Sequence, residues 1–267
     1  MIDFLSLKRA IPGIKPVFIF DIFGWPISSS TLTTFLIIFL FAILAFIVIR
    51  RFKLFPGKFQ VVFEILYEGM HSMIDEVTNS KKRSKIIFPV IASLFLYLLV
   101  ANLIGMVPGL SELSINGKPL FSTTTADFNT TFGLAFSAIL IINLISIKEW
   151  GLLSYLSNFF KFKEIFKGFK EGLGAGAIAL VDFFVGLLDI IGEVAKVISL
   201  AIRLFANMYA GQILMIILMS AVAYVVPVIL YGMGIFVGAL QAMVFAILIA
   251  SYYMLAIKPE DEVEEGS

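Results

Sequence analysis

The sequence predicts an all-α polytopic membrane protein, with three transmembrane helices and one interfacial amphipathic helix followed by a long, tilted C-terminal two-helix hairpin. Three observations carry this expectation. Of the 267 residues, 60% are hydrophobic and 15% charged, where soluble domains run nearer half and a quarter. Mean hydropathy is +1.01. Several runs also reach the ~20 apolar residues that a bilayer crossing needs.

The elements follow in order. Residues 1–30 are mixed, and Pro12, Pro16 and Pro26 break any long helix there. The run TLTTFLIIFLFAILAFIVI makes 31–50 a first span, stopped by Arg50, Arg51 and Lys53. Over 58–79, Phe59, Val62, Phe63, Leu66, Met70, Met73, Ile74 and Val77 recur at helical spacing. Glu64, Glu68, His71, Asp75 and Glu76 lie mainly on the other face. That pattern suits a helix lying in the membrane interface, apolar face down. The basic run KKRSK (81–85) precedes a second span, 86–108. A polar loop, 109–126, leads to STTTADFNTT, whose Thr/Asp cluster can cap a third span over 127–147. Residues 148–175 form a second basic loop, with GLGAGA (172–177) as a Gly-rich hinge. It lacks the Lys-Ser/Thr of a phosphate loop. Two apolar segments, 176–225 and 228–257, are broken near Pro227 and carry the hairpin. At 1.5 Å per residue the first is about 75 Å long, so it must tilt, bend or split in a ~30 Å hydrocarbon core. Residues 258–267 are an acidic tail.

Basic residues set the expected orientation. Arg50, Arg51, Lys53, Lys58, Lys81, Lys82, Arg83 and Lys85 fall in 50–85, and Lys148, Lys161, Lys163, Lys167 and Lys170 in 148–170. Only Lys8, Arg9 and Lys15 at the N-terminus and Lys118 in the 109–126 loop oppose them. The excess places the first two loops in the cytoplasm, the N-terminus outside and the C-terminus inside. The start has neither the h-region of a signal peptide nor the look of a transit peptide, which favours a bacterial plasma membrane. Composition narrows the chemistry. A net charge of +1 without a free basic stripe argues against a nucleic-acid partner. With no cysteine and one histidine, His71, disulfides, cysteine or imidazole metal clusters and Ser-His-Asp chemistry are excluded. No cofactor is expected.

Arg203 is the one charge in VISLAIRLFANMYAGQILMIIL (197–218). A cation near the middle of a membrane helix costs about 2.5–3.5 kcal/mol on insertion scales and roughly 10–17 in simulations. Such a residue is kept where it lines a wet path or meets a counter-charge. At 100° per residue, Lys196, Ser199, Asn207, Ala210 and Leu214 lie within about 40° of it, Asp189 shares that side and Glu193 lies at its edge. Gln212 projects almost opposite. A second polar stripe, Gly234, Gly238, Gln241, Phe245 and Tyr252, runs along the last helix, and Gln241 could reach Arg203 across the hairpin. Plainer readings stand beside these: Arg203 as a structural cation paired with Asp182 or Asp189, or snorkelling to the interface; Gln241 as interhelical glue; Lys196 as a snorkelling side chain; Asp127 as a helix cap; His71 as a solvated interfacial residue.

SLAIRLFANMYAGQIL (199–214) closely resembles the signature helix of subunit a, the stator ion-channel subunit of the F-type ATP synthase. VANLIGMVPG (100–109) is similar to that family's second span, TADFNTT (125–131) to the start of its third, and LQAMVFAILIASYY (240–253) to its last helix. The resemblance covers roughly residues 35–257. It implies that Arg203 is the essential arginine, with Asn207 one turn on and Gln241 in the last helix. Lys196 and Ser199 match positions linked with a cytoplasmic half-channel, and Asn102, Asp127 and Asn129 match positions near an outer vestibule. Many members carry an ionisable residue where Gln212 stands and a titratable partner where Gly234 stands; both are non-ionisable here. Asp182, Asp189, Glu193, Asp127 and Glu112 are then candidates for the outer relay, as is a water file. The implied partners are the c-subunit ring, peripheral-stalk b subunits, the catalytic head indirectly, and the bilayer. The chain itself carries no catalytic chemistry. H⁺ is the expected ion, with Na⁺ the alternative. A self-contained secondary transporter is the rival from another class, but no repeat relates 31–147 to 176–257.

Overall fold

The computed structural model describes residues 17–22, 25–51, 53, 57–107, 113–115, 118–152, 155, 173–221 and 225–257. Its order is β1 (Phe18–Ile22), β2 (Trp25–Ser28), α1 (Ser29–Arg51), α2 (Lys58–Thr78), α3 (Lys81–Ile104), β3 (Ser114–Ile115), β4 (Lys118–Pro119), a 3-10 turn (Thr124–Ala126), α4 (Phe128–Trp150), α5 (Leu173–Ala221) and α6 (Val225–Ala256). Four helices are long and apolar enough to cross a membrane: Ser29–Arg50, Lys81–Ile104, Phe128–Glu149 and Ile229–Ala256. The predominantly helical membrane fold expected from composition is therefore present.

Helix α6 is the centre of the bundle. It packs against α3, α4, α5 and α2, burying Ala242, Phe245, Ala246, Ile249, Ala250 and Tyr253. The facing side chains are Ile87, Ile91 and Leu98 of α3, Ala135, Ala138, Ile139 and Ile142 of α4, and Leu200, Ala201 and Leu204 of α5. Many of these are alanines for a physical reason. Lipid tails are as apolar as leucine, so helices associate in a bilayer through close packing, which small residues allow. Helix α1 stands apart, touching the bundle mainly near its start. Phe35, Phe39, Phe46 and Ile49 are more than half exposed on it, in keeping with a lipid-facing helix.

Polar bonds clamp the two ends of the bundle. At one end the Asn102 amide, fully buried, donates to the Gly238 carbonyl at 2.9 Å and accepts from the Thr125 hydroxyl at 2.9 Å, joining α3, α6 and the 3-10 turn. Nearby, Asp127 caps α4 by accepting from the Asn129 N–H at 3.0 Å. At the other end the Tyr253 hydroxyl donates to Glu149 at 3.2 Å, tying α6 to α4.

Five features add to or differ from the sequence expectation. Phe18–Ile22 and Trp25–Ser28 pair as the antiparallel strands of a β-hairpin, since strands tolerate the Pro26 that breaks a helix. Ser29 donates to the Pro119 carbonyl at 2.6 Å and Lys118 to the Phe18 carbonyl at 2.8 Å, so this hairpin and the β3–β4 ribbon cover one end of the bundle, the hairpin end. The run KKRSK, expected to precede the second span, is the first turn of α3. Residues 173–177 of the Gly-rich stretch begin α5, which continues unbroken to Ala221; 222–224 and the acidic tail lie outside the described residues. Pro227 sits in the first turn of α6, where its missing N–H removes no helical bond. The apolar face of α2 is shared: Met70 and Ile74 are buried in the bundle while Val62 and Ile65 are more than 60% exposed.

Helices α3 and α6 approach closely at Gly238, where an added Cβ would stand 3.2 Å from the Asn102 Cβ. Gly238→Leu should force them apart and break the Asn102 bond, at about 1–3 kcal/mol for overpacking. The expected outcome is a lower unfolding temperature for the detergent-solubilised protein; an unchanged one would contradict this packing.

Candidate functional site

Helix α5 presents two unlike faces. Val197, Leu200, Ala201, Leu204 and Met208 turn into the bundle. Ser199, Ile202, Arg203, Ala206, Ala210 and Leu214 are exposed. The 100° step that put Gln212 opposite Arg203 therefore has a structural consequence, because Gln212 points inward and Arg203 outward.

Among the described residues the Arg203 guanidinium has no ion pair, hydrogen bond or aromatic partner. Asp182 and Asp189 do not pair with it, which removes the reading of a structural cation paired with either of them. Nor does Gln241 reach it. Gln241 is buried, 8% exposed, and its Nε2 has no partner. Asn207, one turn beyond Arg203, is half-buried, Ser199 and Asp189 are exposed, and Asp182 is half-buried.

Two polar groupings flank Arg203 along the helix. Seven residues before it, the Lys196 ammonium donates to Glu193 at 2.5 Å and lies 5.4 Å from the centre of the Tyr252 ring. Tyr155 belongs here as well: burial pushes its phenol up in pKa, and the Glu193 charge adds to that. Nine residues after Arg203, the Gln212 amide donates to the Thr123 hydroxyl at 2.5 Å. At 1.5 Å per residue the guanidinium's residue lies about 10 Å from the first grouping and about 14 Å from the second. Lys196, Glu193 and Tyr252 thus come together, and Gln212 joins the hairpin end.

At the hairpin end, Asp127 and Asn129 line a cleft of about 330 Å³ with Phe18, Pro26, Ser28, Thr31 and Thr130. Asp127 is fully engaged there, capping α4 with one oxygen and accepting from the Ser30 hydroxyl with the other. Asn102 is enclosed in its own bonds rather than lining this cleft. Where Gly234 stands, the space a side chain would take is occupied by the Met106 thioether. Glu112 lies outside the described residues. Sequence reasoning missed Thr123, Ser30 and Glu149. The STTT run was visible, but its pairing with a residue 89 positions away was not.

The family described as ATP synthase A chain matches residues 30–254. The chain is 33% identical over 234 residues to ATP synthase subunit a of Geotalea uraniireducens, covering 87% of this chain and 86% of the relative. It is 31% identical to that of Geotalea daltonii over 233 residues, with the same coverage. To that of Moorella thermoacetica it is 27% identical over 239 residues, covering 90% and 95%.

The Glu193–Lys196 pair is partly buried, each side chain about a fifth exposed, and one turn apart. A double-mutant cycle should give a coupling of about 0.3–1 kcal/mol, as for other partly solvated helical pairs. A value several times larger would place the pair in a drier setting than the structure does.

Proposed function

Because the chain belongs to the ATP synthase A chain family, and so is an ion-translocating membrane stator subunit, we propose that its α5–α6 pair forms two offset half-channels against a rotating c-subunit ring. The observation that carries this reading is Arg203, exposed, without a partner among the described residues and set between two polar groupings on one helix. Family membership over most of the chain displaces the secondary-transporter alternative.

In this reading α1, α3 and α4 span the bilayer, α2 lies at its cytoplasmic face, and α5 and α6 cross as a tilted hairpin. The hairpin end faces outward and the Lys196–Glu193–Tyr252 grouping faces the cytoplasm, as the basic residues require. A guanidinium exposed in lipid is costly, so the exposed face of α5 needs a carboxylate from a partner. A ring carboxylate neutralised by an ion from the outer half-channel can rotate through lipid without the cost of a buried charge. Opposite Arg203 the same group is favoured in its ionised form, because a nearby cation lowers a carboxylate pKa, and the ion leaves toward the cytoplasm. Arg203 also repels cations passing straight between the half-channels. The membrane potential supplies about 2.3 kcal/mol per charge per 100 mV. Asn207 and Gln241 complete the polar lining between the half-channels. Lys196, Ser199 and Tyr252 line the inner one. Glu193, bonded to Lys196, belongs there rather than to the outer relay, together with Asp189 and Asp182 on the same side of Arg203. Asn102, Asp127, Asn129 and Gln212 line the outer one. Peripheral-stalk b subunits hold the chain against the torque and link it to the catalytic head.

H⁺ is the ion in this proposal. One observation favours Na⁺ as a second reading: the Gln212–Thr123 contact offers oxygen ligands and no titratable group. ATP hydrolysis by the intact assembly, with and without Na⁺, decides between them, and Na⁺ protection of the ring against carbodiimide would overturn H⁺.

Arg203→Ala should abolish ion-driven ATP synthesis in reconstituted vesicles while assembly persists; coupled synthesis at normal yield would defeat the proposal. Gln241→Leu should slow transport by about tenfold, the scale of one lost polar contact, and full activity would leave Gln241 as packing alone.

A further inference from the structure

The Gln212 side chain ends on one atom of the 3-10 turn region, the Thr123 hydroxyl oxygen, at 2.5 Å. That hydroxyl in turn donates to the Gly105 carbonyl at the end of α3, at 3.4 Å. Thr123 is 5% exposed, and a Cβ at Gly105 would collide with its side chain, so the contact exists only because residue 105 is glycine. The adjacent Thr124 is fully buried, and its hydroxyl oxygen has no partner among the described residues. Thr125 is bonded to Asn102. No carboxylate, imidazole or amine among the described residues bonds to Thr123, Gln212 or Thr125.

Building on the half-channel reading above, we propose that Thr123 is the ion-path group of the outer half-channel, an uncharged hydroxyl gate held between Gln212 of α5 and the Gly105 carbonyl of α3. The chemistry suits the task. A threonine hydroxyl has one proton and two acceptor lone pairs. Here one lone pair takes the Gln212 amide, the proton rests on a long bond to Gly105, and the second lone pair is uncommitted. Rotation of the hydroxyl exchanges these roles without separating charge. It can accept a proton from a protonated water on one side, which is left as neutral water, while passing its own to a water on the other, or it can coordinate a bare cation in transit. The next residue, Thr124, holds a second buried hydroxyl oxygen without a partner among the described residues.

The test compares Thr123→Val, Thr123→Ser and Arg203→Ala in the complete ATP synthase reconstituted into vesicles. The readouts are ion-driven ATP synthesis, ATP-driven ion uptake, and yield of the assembled complex. Thr123→Val keeps the shape and removes the hydroxyl, and it should lower both rates about tenfold or more at normal yield. Thr123→Ser keeps the hydroxyl and should hold at least half the rate, which a purely steric role for the methyl group would not predict. Undiminished transport by Thr123→Val overturns the gate. Failure of Thr123→Ser to rescue overturns it too. If Thr123→Val does not assemble, Gln212→Leu removes the same bond from the other partner and should show the same loss; a full rate there also overturns the gate. Arg203→Ala separates the two levels. If it abolishes coupling while Thr123→Val is fully active, only the gate fails; if it leaves coupling intact, the half-channel reading itself fails.

Discussion

A guanidinium keeps its charge at any pH a cell presents, and on α5 it has no counter-charge within its own chain among the described residues. Much of the site follows from that constraint. The helix that carries Arg203 buries one face in the bundle and leaves the other exposed. Val197, Leu200, Ala201 and Leu204 on one side, with Ser199, Ala206 and Ala210 on the other, do this. The small residues beside Arg203 keep that face low, so another helix can come close to the charge. A lysine would be a weaker choice, since a desolvated ammonium shifts its pKa readily.

The exposed face of α5 has to be held in position by something rigid, and α6 supplies the support. Its polar anchors, Asn102 to Gly238 at one end and Tyr253 to Glu149 at the other, lie fifteen residues apart, about 22 Å along the helix. Between them the contacts are alanine, isoleucine and phenylalanine. This division has a physical basis. A polar group inside the bilayer must be satisfied by protein, so polar bonds gather where several elements converge and the apolar middle is held by packing. Gln241 is the exception, buried with an unpartnered amide nitrogen in the middle of that helix.

Helix existence was legible because an apolar run long enough to cross a bilayer has few alternatives to being helical. The opposition of Arg203 and Gln212 was legible because it depends only on the 100° step of a single helix. The pairing of Phe18–Ile22 with Trp25–Ser28 was not, since Pro26 excludes helix without saying what replaces it. Nor was the start of α3: lysines and arginine are good helix formers, and a basic run reads equally well as a loop or a first turn.

The order of apolar segments, the lone mid-helix cation and the faces of each helix were therefore set by the chain itself, being local properties of spacing and solvent preference. Tertiary structure alone decided which polar groups meet. Gln212 finds Thr123 across 89 positions and Asn102 finds Gly238 across 136, while Asp182 and Asp189 leave Arg203 unpaired. Those outcomes depend on where helices cross, and a crossing is fixed by the fit of side chains from several segments at once, which no single segment encodes.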